Sequence, residues 1–356
     1  MDLIVPTDRG LYCEAGDFHI DPRRPVARAV ITHAHADHAR FGSDVYVCHP
    51  HTVPILRKRL GEAIVVETAD YGEVLTRDGV DVSLHPAGHV LGSAQVRVDR
   101  GGEVWVASGD YKVEDDGVVR AFEPVRCAVF ITESTFGLPI YRWRPQTELV
   151  GGVESWWREN AAAGRASVVY AYALGKAQRV LASVDPSIGP IVCHGAIEPI
   201  NAIYRDAGIA MPPTRLVHEI ADRRVFASAL IVAPPSAAGS PWLSRFGDYS
   251  DALASGWMQV RGNRRRRGLD RGFALSDHAD WPGLLAAVEA TGAERVLATH
   301  GFAGPLSRYL RERGLDARAL ATAYGDEDEA TAAEQPGGEA AAGEGARGNG
   351  KGETAA

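Results

Sequence analysis

Cysteine and long apolar stretches are what this sequence has little of. Its 356 residues include only four cysteines (Cys13, Cys48, Cys127 and Cys193), and no two of them form a C-x-x-C pair. This spacing indicates neither a disulfide framework nor a structural zinc knuckle. No apolar run approaches the roughly 20 residues needed to cross a bilayer, and the start of the chain lacks the basic and then apolar pattern of a signal peptide. We therefore expect a reduced, cytoplasmic protein with no membrane partner.

The negative net charge excludes less than its size suggests. The formal charge is −8, which by itself disfavours a polyanionic ligand. However, residues 325–356 hold eight acidic and two basic side chains, so −6 of that charge belongs to this segment. Six arginines are concentrated between Arg261 and Arg271 in the nearly neutral remainder. Because local fields matter more to a ligand than the global sum, the charge excludes no class of substrate.

Short apolar runs typical of β-strands dominate the first third of the chain. We predict strands at 11–13, 18–20, 28–31, 45–48, 63–66, 80–84, 96–98, 104–107 and 127–132, with one helix at 53–60. Glycine and aspartate at 16–17, 78–79 and 101–102 indicate hairpin turns between them. The simplest interpretation is a large mixed or antiparallel sheet system.

From about residue 145 helical and strand patterns alternate. We predict helices at 147–163, 175–184, 199–207, 281–290 and 305–313, and strands at 167–172, 191–193, 229–232, 258–260, 273–276 and 295–299. Such alternation is typical of a parallel sheet with crossover helices, so the fold class is α/β. Beyond Tyr324 the composition is mostly Gly, Ala and Glu, and we expect this acidic tail to be disordered.

Four metal-capable side chains follow the buried run at 27–31: His33, His35, Asp37 and His38. Imidazole and carboxylate are ligands that Zn²⁺ accepts. In an extended backbone His33, His35 and Asp37 would point the same way and His38 elsewhere. The spacing can serve two ions, with His33 and His35 on one and Asp37 and His38 on the other. The alternative is a histidine-rich surface loop.

Further candidate ligands follow other predicted strands, each beside a glycine. They are His89 in Gly88-His89, Asp110 in Gly109-Asp110 and His300 in His300-Gly301. Each alone is as consistent with an ordinary loop residue as with a ligand. Together, at the carboxyl ends of strands, they indicate a two-metal site in which a carboxylate such as Asp110 can bridge the ions.

The pattern H-x-H-x-D-H followed by Ala-Gly-His and Ser-Gly-Asp resembles the metallo-β-lactamase superfamily over about the first 135 residues. The segments at 133–137, 173–178, 276–280 and 299–301 resemble the β-CASP nucleases, and the overall likeness is greatest to the bacterial ligase-associated DNA exonucleases. The resemblance implies an αββα metallo-β-lactamase sandwich built from residues 1–145 and 266–324. An α/β β-CASP insert at 146–265 would interrupt it, and 325–356 would be the tail.

The resemblance also implies a ligand set. His33, His35 and His89 would hold one zinc, and Asp37, His38 and His300 the other, with Asp110 bridging two Zn²⁺ ions; Mn²⁺ is the alternative metal. Asp37 would then also belong to the catalytic residues. Asp21 matches the early aspartate that orients ligating histidines. Asp17 competes with Asp21 for that role, and a simple turn before Pro22 is the alternative for Asp21.

His278, in the segment at 276–280, is the predicted general acid for the departing oxygen. Glu133 would keep His278 protonated, because a neighbouring negative charge raises the pKa of a histidine. The alternative for Glu133 is a solvated residue at a strand end.

Predicted nucleic-acid contacts have less support. Lys176 opens a predicted helix, where it and the backbone N–H groups could hold a phosphate, although a plain strand-to-helix turn fits equally well. The arginine run comprises Arg264, Arg265, Arg266 and Arg267. Arginine pairs with phosphate bidentately, but solvated charge in a loop is the alternative. Nearby aromatic residues, Trp242, Tyr249, Phe246 and Trp257, are candidates for base stacking or for a buried core.

These features predict a zinc-dependent DNA exonuclease that hydrolyses phosphodiester bonds. By resemblance it would act in DNA repair with an ATP-dependent DNA ligase and a helicase. The main alternative is an RNA-processing β-CASP ribonuclease, which the histidine at position 300 favours. A thioesterase-like or lactonase-like hydrolase and a catalytically silent nucleic-acid-binding scaffold are further alternatives, which Glu133, His278 and the complete ligand set disfavour.

Overall fold

The computed structural model describes residues 2–320 and arranges them as three β-sheets with flanking helices. The strands are β1 (Val5–Thr7), β2 (Gly10–Cys13), β3 (Phe18–Ile20), β4 (Arg28–Val30), β5 (Val45–Cys48), β6 (Val66–Thr68), β7 (Val74–Arg77), β8 (Val80–Pro86), β9 (Ala94–Arg100), β10 (Glu103–Ala107), β11 (Val129–Glu133), β12 (Ala166–Tyr170), β13 (Ile191–Cys193), β14 (Arg215–Leu216), β15 (Leu230–Ala233), β16 (Tyr249–Ala254), β17 (Arg271–Phe273), β18 (Arg295–Thr299) and β19 (Asp316–Ala319). The α-helices are α1 (Val53–Leu60), α2 (Gln146–Ala162), α3 (Lys176–Ser183), α4 (Glu198–Asp206), α5 (Arg261–Arg266), α6 (Trp281–Thr291) and α7 (Ala303–Glu312). The predicted disordered tail lies outside the described residues. No helix within residues 2–320 is both long and apolar enough to span a membrane.

The first sheet has the order β1-β2-β3-β4-β5-β6. It begins as an antiparallel meander, with the predicted turn at Gly16-Asp17 joining β2 to β3, and continues in parallel from β3 to β6. Strand β4 lies in the interior of this sheet, between β3 and β5. The chain leaves β4 directly into the histidine-rich motif, so that motif starts from a strand fixed on both sides.

The second sheet has the order β19-β18-β11-β10-β9-β8-β7. Hairpins at Asp78-Gly79 and Gly101-Gly102 join β7 to β8 and β9 to β10, as the turn residues predicted. Strands β10, β11, β18 and β19 run parallel to one another. The prediction of a mixed sheet system is therefore confirmed.

The parallel part of the second sheet gathers candidate site residues at one edge. Ala107 of β10 is in register with Ile131 of β11, and Glu133 of β11 is in register with Thr299 of β18. Because neighbouring parallel strands end at the same edge of a sheet, the residues that follow them lie close together. Asp110, Glu133 and His300 are thereby brought to one edge, although 187 residues lie between the end of β10 at Ala107 and the start of β18 at Arg295.

Apolar packing fixes that edge. One hydrophobic cluster includes Phe18 and Val30 of the first sheet and Val82 and Trp105 of the second. Burying each such side chain contributes about 1.5–3 kcal/mol, so the two sheets hold each other in place. Helices α6 and α7 pack in the cluster around Phe130 and Val296 of the second sheet, and α1 packs in a separate cluster with β4 and β5.

The third sheet has the order β14-β13-β15-β12-β16-β17, and all its strands are parallel. The predicted βα alternation is confirmed here. Trp157 of α2 and Val180 of α3 pack in one cluster with this sheet, whereas Phe226 and Phe246 pack in another. The sheet extends to β17, beyond the predicted end of the insert at residue 265.

Several predicted elements differ from the structure. The strand predicted at 258–260 is wrong: residues Gly256–Gln259 form a 3-10 turn, and the strand is β16, whose Ser250 and Asp251 interrupt the apolar pattern. Strand β6 begins at Val66 rather than at residue 63, and the run predicted at 273–276 is a strand only up to Phe273. Strands β1 and β7 were not predicted, because they are short, largely exposed, and hold no more than two apolar branched residues each.

Candidate metal centre

The histidine-rich motif divides into two groups of potential ligands. One group comprises His33, His35, His89 and Asp110, and the other comprises Asp37, His38 and His300; within each, the ligand atoms lie within 4.8 Å of one another. The prediction of an extended backbone through this motif is wrong: the chain turns after His35, and the N–H groups of His38 and Ala39 donate to the His35 carbonyl at 3.2 and 2.9 Å. This turn groups Asp37 with His38 rather than with His35, while the rings of His33 and His38 lie 4.1 Å apart, centroid to centroid.

The first group is compact and buried. His35 Nδ1 lies 3.0 Å from His89 Nε2, and His33 Nε2 lies 3.4 Å from Asp110 Oδ2. His33 and His89 have no exposed surface. Burial lowers the pKa of His33, His35 and His89, so these imidazoles are neutral at pH 7 and keep the lone pair that a metal requires.

The second group meets the first at Asp110. His38 Nε2 lies 3.4 Å from Asp110 Oδ2 and 3.5 Å from Asp37 Oδ2. The rings of His38 and His300 stack with their centroids 5.1 Å apart. Burial lowers the pKa of His300 to about 4. One oxygen of Asp110 thus lies between the two histidine groups, which is the position that a bridging carboxylate would occupy.

The hydrogen bonds of the outer ring nitrogens decide which nitrogen of each histidine faces inward. The carbonyls of Leu174 and Asp277 can only accept, so His35 Nε2 and His89 Nδ1 carry protons, at distances of 3.3 and 2.8 Å. The Thr32 hydroxyl donates to Asp21 and therefore accepts from His33 Nδ1 at 3.0 Å. The inward nitrogens are then His33 Nε2, His35 Nδ1 and His89 Nε2, each with its lone pair available.

Asp21 supports the second group. Its carboxylate accepts hydrogen bonds from Thr32 N at 2.8 Å, Thr32 Oγ1 at 2.6 Å and His38 Nδ1 at 2.7 Å. Asp21 is 5% exposed and has φ +45°, a left-handed conformation that costs of order 1–3 kcal/mol and requires support from its surroundings. Its competitor Asp17 is exposed and accepts from Tyr12 OH at 3.0 Å instead.

The donor set fits metal ions. His33 Nε2 and Asp110 Oδ1 are buried and have no hydrogen-bond partner among the described residues. Buried polar atoms normally have hydrogen-bond partners, so two such atoms in one cluster are expected where an ion supplies the missing contact. Nitrogen and oxygen ligands in buried groups of three or four suit Zn²⁺, with Mn²⁺ a further ion for such oxygen-containing sites.

Carboxylates around the second group also determine its protonation. Burial would lower the pKa of His38, but Asp110, Asp37 and Asp21 outweigh burial and raise it well above its usual value. Burial would raise the pKa of Asp110, and His38 with its neighbours instead holds that pKa well below its usual range. A metal ion entering here displaces a proton from His38, so its binding must weaken as the pH falls.

Glu133 and His278 form a buried pair beside the first group. His278 Nδ1 lies 3.0 Å from Glu133 Oε2, and Glu133 Oε1 accepts from Tyr111 N at 2.7 Å. Glu133 is 1% exposed rather than solvated, and burial raises the pKa of its carboxyl. The ring of His278 lies 4.6 Å from that of His89, centroid to centroid, so His278 borders the ligands.

Two glycines let the chain come close enough to place His89. Gly88 has φ +73°, and a Cβ there would lie 2.3 Å from the Lys112 carbonyl oxygen. Gly92 has φ +74°, and a Cβ there would lie 2.6 Å from Thr52 N. Any side chain at either position would push the His89 loop away from its neighbours.

The structure corrects the assignment of Lys176 to phosphate. Lys176 is 3% exposed, and its Nζ lies 2.7 Å from Asp277 Oδ1. The lysine therefore neutralises a buried carboxylate inside the protein rather than presenting its charge to a ligand. Its helix-opening position suggested an exposed anion site, but the partner that captures it comes from a loop a hundred residues later.

The arginine run lies on α5 rather than in a loop. Arg264 donates to the Asp270 carbonyl at 3.2 Å, Arg266 donates to Asn263, Arg265 is exposed and Arg267 is half-buried. Helix α5 follows the 3-10 turn that carries Trp257, whose ring packs 4.8 Å from Phe136. Phe136 in turn lies 6.0 Å from the His278 ring, so the run is connected to the site through aromatic packing.

The other predicted stacking residues are part of the core. Trp242 and Phe246 pack against each other at 4.7 Å between centroids, and both belong to the cluster on one face of the third sheet, as does Tyr249. Sequence reasoning missed Thr32, Asp277 and Arg179, which support the ligands. Thr32 and Asp277 each precede a predicted site histidine, His33 and His278, and this position was the signal that could have identified them. Arg179 gave no signal except its charge.

This is an α/β protein whose strand ends gather histidine and carboxylate groups around one shared aspartate, and these groups form a candidate metal centre. No family model matches the chain. The chain is 32% identical over 320 residues to a protein named "Probable DNA ligase" from Opitutus terrae, covering 89% of this chain and 31% of that protein.

Two further relatives carry other names. "Endoribonuclease YSH1" from Candida albicans is 32% identical over 122 residues, covering 34% of this chain and 14% of the relative. "Transcription termination factor FttA" from Methanothermobacter thermautotrophicus is 26% identical over 242 residues, covering 54% of this chain and 36% of the relative. The matches thus span 14% to 36% of the length of these relatives. Together they suggest the metallo-β-lactamase/β-CASP family.

A solved structure shares the fold. A protein of unknown function from Enterococcus faecalis V583 superimposes with a TM-score of 0.55 at 12% sequence identity, covering 76% of this chain and 74% of that chain. At this identity the likeness concerns the fold alone.

Proposed function

We propose that this chain is a metal-dependent nuclease of the β-CASP group of the metallo-β-lactamase superfamily. The observation that carries the proposal is the shared position of Asp110 between two ligand groups, with the Glu133–His278 pair beside them. A site for two cations, next to a buried histidine and carboxylate pair, suits the hydrolysis of phosphodiesters more than the chemistry of an uncharged ester.

The proposed fold and ligand set follow the same reasoning. Residues 1–145 and 266–324 would form the αββα sandwich and 146–265 the insert. The pairing of β17 with β16 supports moving the end of the insert from residue 265 to Phe273. His33, His35 and His89 would hold one Zn²⁺, Asp37, His38 and His300 the other, and Asp110 would bridge them. When bound, the two ions supply a hydroxide at neutral pH and neutralise charge on the phosphate.

The remaining steps belong to the side chains. Glu133 accepts from His278 Nδ1, which leaves His278 Nε2 to donate a proton to the departing oxygen. Asp21 holds His38 through its Nδ1 and so keeps Nε2 directed at Asp110. Asp37, on the same turn as His38, completes the second group and is the most exposed of its carboxylates, with 42% of its side chain accessible.

DNA is the proposed substrate, degraded from an end, in repair alongside a DNA ligase and a helicase. Support comes from the match of 89% of this chain to part of a protein named as a probable DNA ligase. The half-exposed arginines of α5 would contribute contacts to backbone phosphates.

RNA is the second candidate substrate. The relative from Candida albicans is named an endoribonuclease, and it matches 34% of this chain at 32% identity. His300 also favours this candidate, because the resemblance noted from sequence associates histidine at this position with RNA-processing members.

The test uses purified full-length protein stripped with a chelator and reloaded with Zn²⁺ or Mn²⁺. Matched DNA and RNA strands, labelled at either end, are offered to it. We expect metal-dependent shortening of DNA from one end. Cleavage restricted to RNA would refute the DNA assignment, and no cleavage of either with metal bound would refute the nuclease.

The proposed acid has its own variant. His278→Ala is expected to slow cleavage by about 10²–10⁴-fold, the usual contribution of a general acid, without releasing the metal. His218→Ala, at an exposed histidine of the third-sheet region, is the matched control and should cleave like the parent protein. Unchanged cleavage by His278→Ala would refute the role of His278.

A further inference from the structure

Residues 174–179, which join β12 to α3 and form the first turn of α3, contact the supports of the candidate metal centre at three points. The Leu174 carbonyl accepts from His35 Nε2 at 3.3 Å. Lys176 Nζ lies 2.7 Å from Asp277 Oδ1, and the Asp277 carbonyl holds His89 Nδ1. Arg179 donates to the loop that carries His89. The segment comes from the third-sheet region but supports ligands that follow strands of the other two sheets.

Arg179 makes the most extensive of these contacts. It is 1% exposed, its Nη2 donates to the Gly88 carbonyl at 2.7 Å, and its Nη1 donates to the His89 carbonyl. Its Nε donates to Asp116 Oδ2, which also lies 3.1 Å from Lys112 Nζ. The guanidinium therefore contacts two separate loops through three differently directed donors.

Each of those loops carries a candidate ligand. Gly88 and His89 belong to the loop between β8 and β9, whereas Asp116 belongs to the loop that begins with Asp110 after β10. Only a planar guanidinium has donors in a rigid fork that can satisfy two adjacent carbonyls and a carboxylate together. A lysine at this position could reach one partner but would leave a buried carbonyl without a donor.

We propose that Arg179 is a positioning residue of the metal centre: by connecting the His89 loop to the Asp110 loop from α3, it sets the affinity of the His33, His35 and His89 group for its metal ion. This inference rests on the proposed function, because it takes that group as a metal site. It makes metal affinity depend on Arg179, a residue of the proposed insert whose hydrogen bonds go to backbone carbonyls and to Asp116 rather than to the ligand side chains.

The test is a Zn²⁺ titration of the full chain in competition with a chromophoric chelator. Arg179→Lys is expected to weaken one of the two binding steps by about 10- to 100-fold, the usual effect of removing a group that orients a ligand. The visible spectrum of the Co²⁺-loaded variant should also differ from that of the Co²⁺-loaded parent protein, because the coordination geometry of the site changes.

Arg205→Lys is the matched control. Arg205, on α4, is more exposed than Arg179 but likewise bridges a carboxylate and a carbonyl, Glu198 at 2.7 Å and Pro212 at 3.2 Å. Its hydrogen bonds within residues 2–320 reach no ligand-bearing loop. Its substitution should leave both binding steps and the Co²⁺ spectrum unchanged. A loss of affinity as large as that of Arg179→Lys would show a general packing effect and refute the inference.

Outcomes for the two proposals differ. Zn²⁺ affinity in Arg179→Lys equal to that of the parent protein would refute the positioning role even if the variant were less stable. If Arg179→Lys did not fold, Asp116→Asn would replace it, with a weakened site expected and an unchanged one contradicting the inference. A parent protein that bound Zn²⁺ but cleaved no nucleic acid would refute only the nuclease, and one that bound no Zn²⁺ would refute both.

Discussion

Asp21→Asn tests how the second ligand group is held, because the carboxylate of Asp21 is a pure acceptor. It receives hydrogen bonds from Thr32 N at 2.8 Å, Thr32 Oγ1 at 2.6 Å and His38 Nδ1 at 2.7 Å. Asparagine offers one oxygen and one NH2 group in the same shape. Asparagine also tolerates the left-handed φ of +45°, so the substitution changes the hydrogen bonding without adding backbone strain.

Either orientation of the amide brings a donor against a donor. If the NH2 group faces His38, Nδ1 can no longer donate, and a neutral imidazole then keeps its proton on Nε2, which is the nitrogen that faces Asp110 at 3.4 Å. We expect a loss of about 1–3 kcal/mol in the free energy of unfolding of the metal-free protein, the usual cost of a buried unsatisfied group. We expect Zn²⁺ affinity at one step to fall by about 10- to 100-fold.

Asp17→Asn is the matched control for this prediction. Asp17 has a similar φ of +47° but is exposed and accepts only from Tyr12 OH at 3.0 Å among its described hydrogen bonds. Urea denaturation and the chelator competition measure both effects in both variants. If Asp21→Asn kept the stability and the Zn²⁺ affinity of the parent protein, or changed them no more than Asp17→Asn does, Asp21 would not orient His38 through this hydrogen bond.

Two further predictions concern packing and protonation. Gly88→Ala should destabilise the protein by more than about 1 kcal/mol in urea denaturation, because its φ is +73° and a Cβ would lie 2.3 Å from the Lys112 carbonyl. Gly117→Ala, with φ +70° but no atom within 4 Å of its Cβ, should cost less, and an equal cost would contradict the role of the close contact. Burial, with the nearby His51, lowers the pKa of His49 to about 4, whereas an unfolded histidine titrates near a pKa of about 6.5. The unfolded state therefore binds the proton first, and stability should fall as the pH drops through this window; His49→Gln should flatten that fall, and an unchanged slope would contradict the prediction.

The strand ends of the second sheet could be predicted from sequence because two simple patterns coincide there. Apolar runs locate β10, β11 and β18, and polar residues beside glycine follow β10 and β18. Parallel pairing then brings Asp110, Glu133 and His300 to one edge, a consequence that needs only strand direction and neighbour order. The hairpin turns were also predictable, since glycine and aspartate adopt the positive φ that such turns require more readily than other residues do.

The orientation of the ligands could not be predicted, because it depends on acceptors remote in sequence. His35 is held by the Leu174 carbonyl and His89 by the Asp277 carbonyl, and backbone carbonyls carry no residue-specific signal. The left-handed φ of His300, +55°, is equally invisible, because nothing in its residue type demands it. These features follow from how three sheets pack, which spacing within one segment does not determine.

Lys176 and Arg264 show why charge alone gives an ambiguous prediction. Both were predicted to bind phosphate because a cation attracts an anion. Lys176 Nζ instead lies 2.7 Å from Asp277 Oδ1, with the lysine 3% and the aspartate 0% exposed. Arg264 remains at the surface of α5 and donates only to the Asp270 carbonyl among its described bonds.

The two residues differ in burial: the surrounding protein excludes water from Lys176 but not from Arg264. A buried cation needs a partner within the fold, because an isolated charge loses several kcal/mol of hydration that only a close anion offsets. Asp277 supplies that partner for Lys176, and the loop that carries Asp277 also holds His89 and His278. The lysine that was predicted to bind phosphate therefore has a structural contact instead: its ion pair with Asp277 holds the loop on which the proposed general acid lies. The arginines of α5 lack such burial, because no residue of that helix is buried, so they alone among these predicted phosphate contacts remain proposed ones.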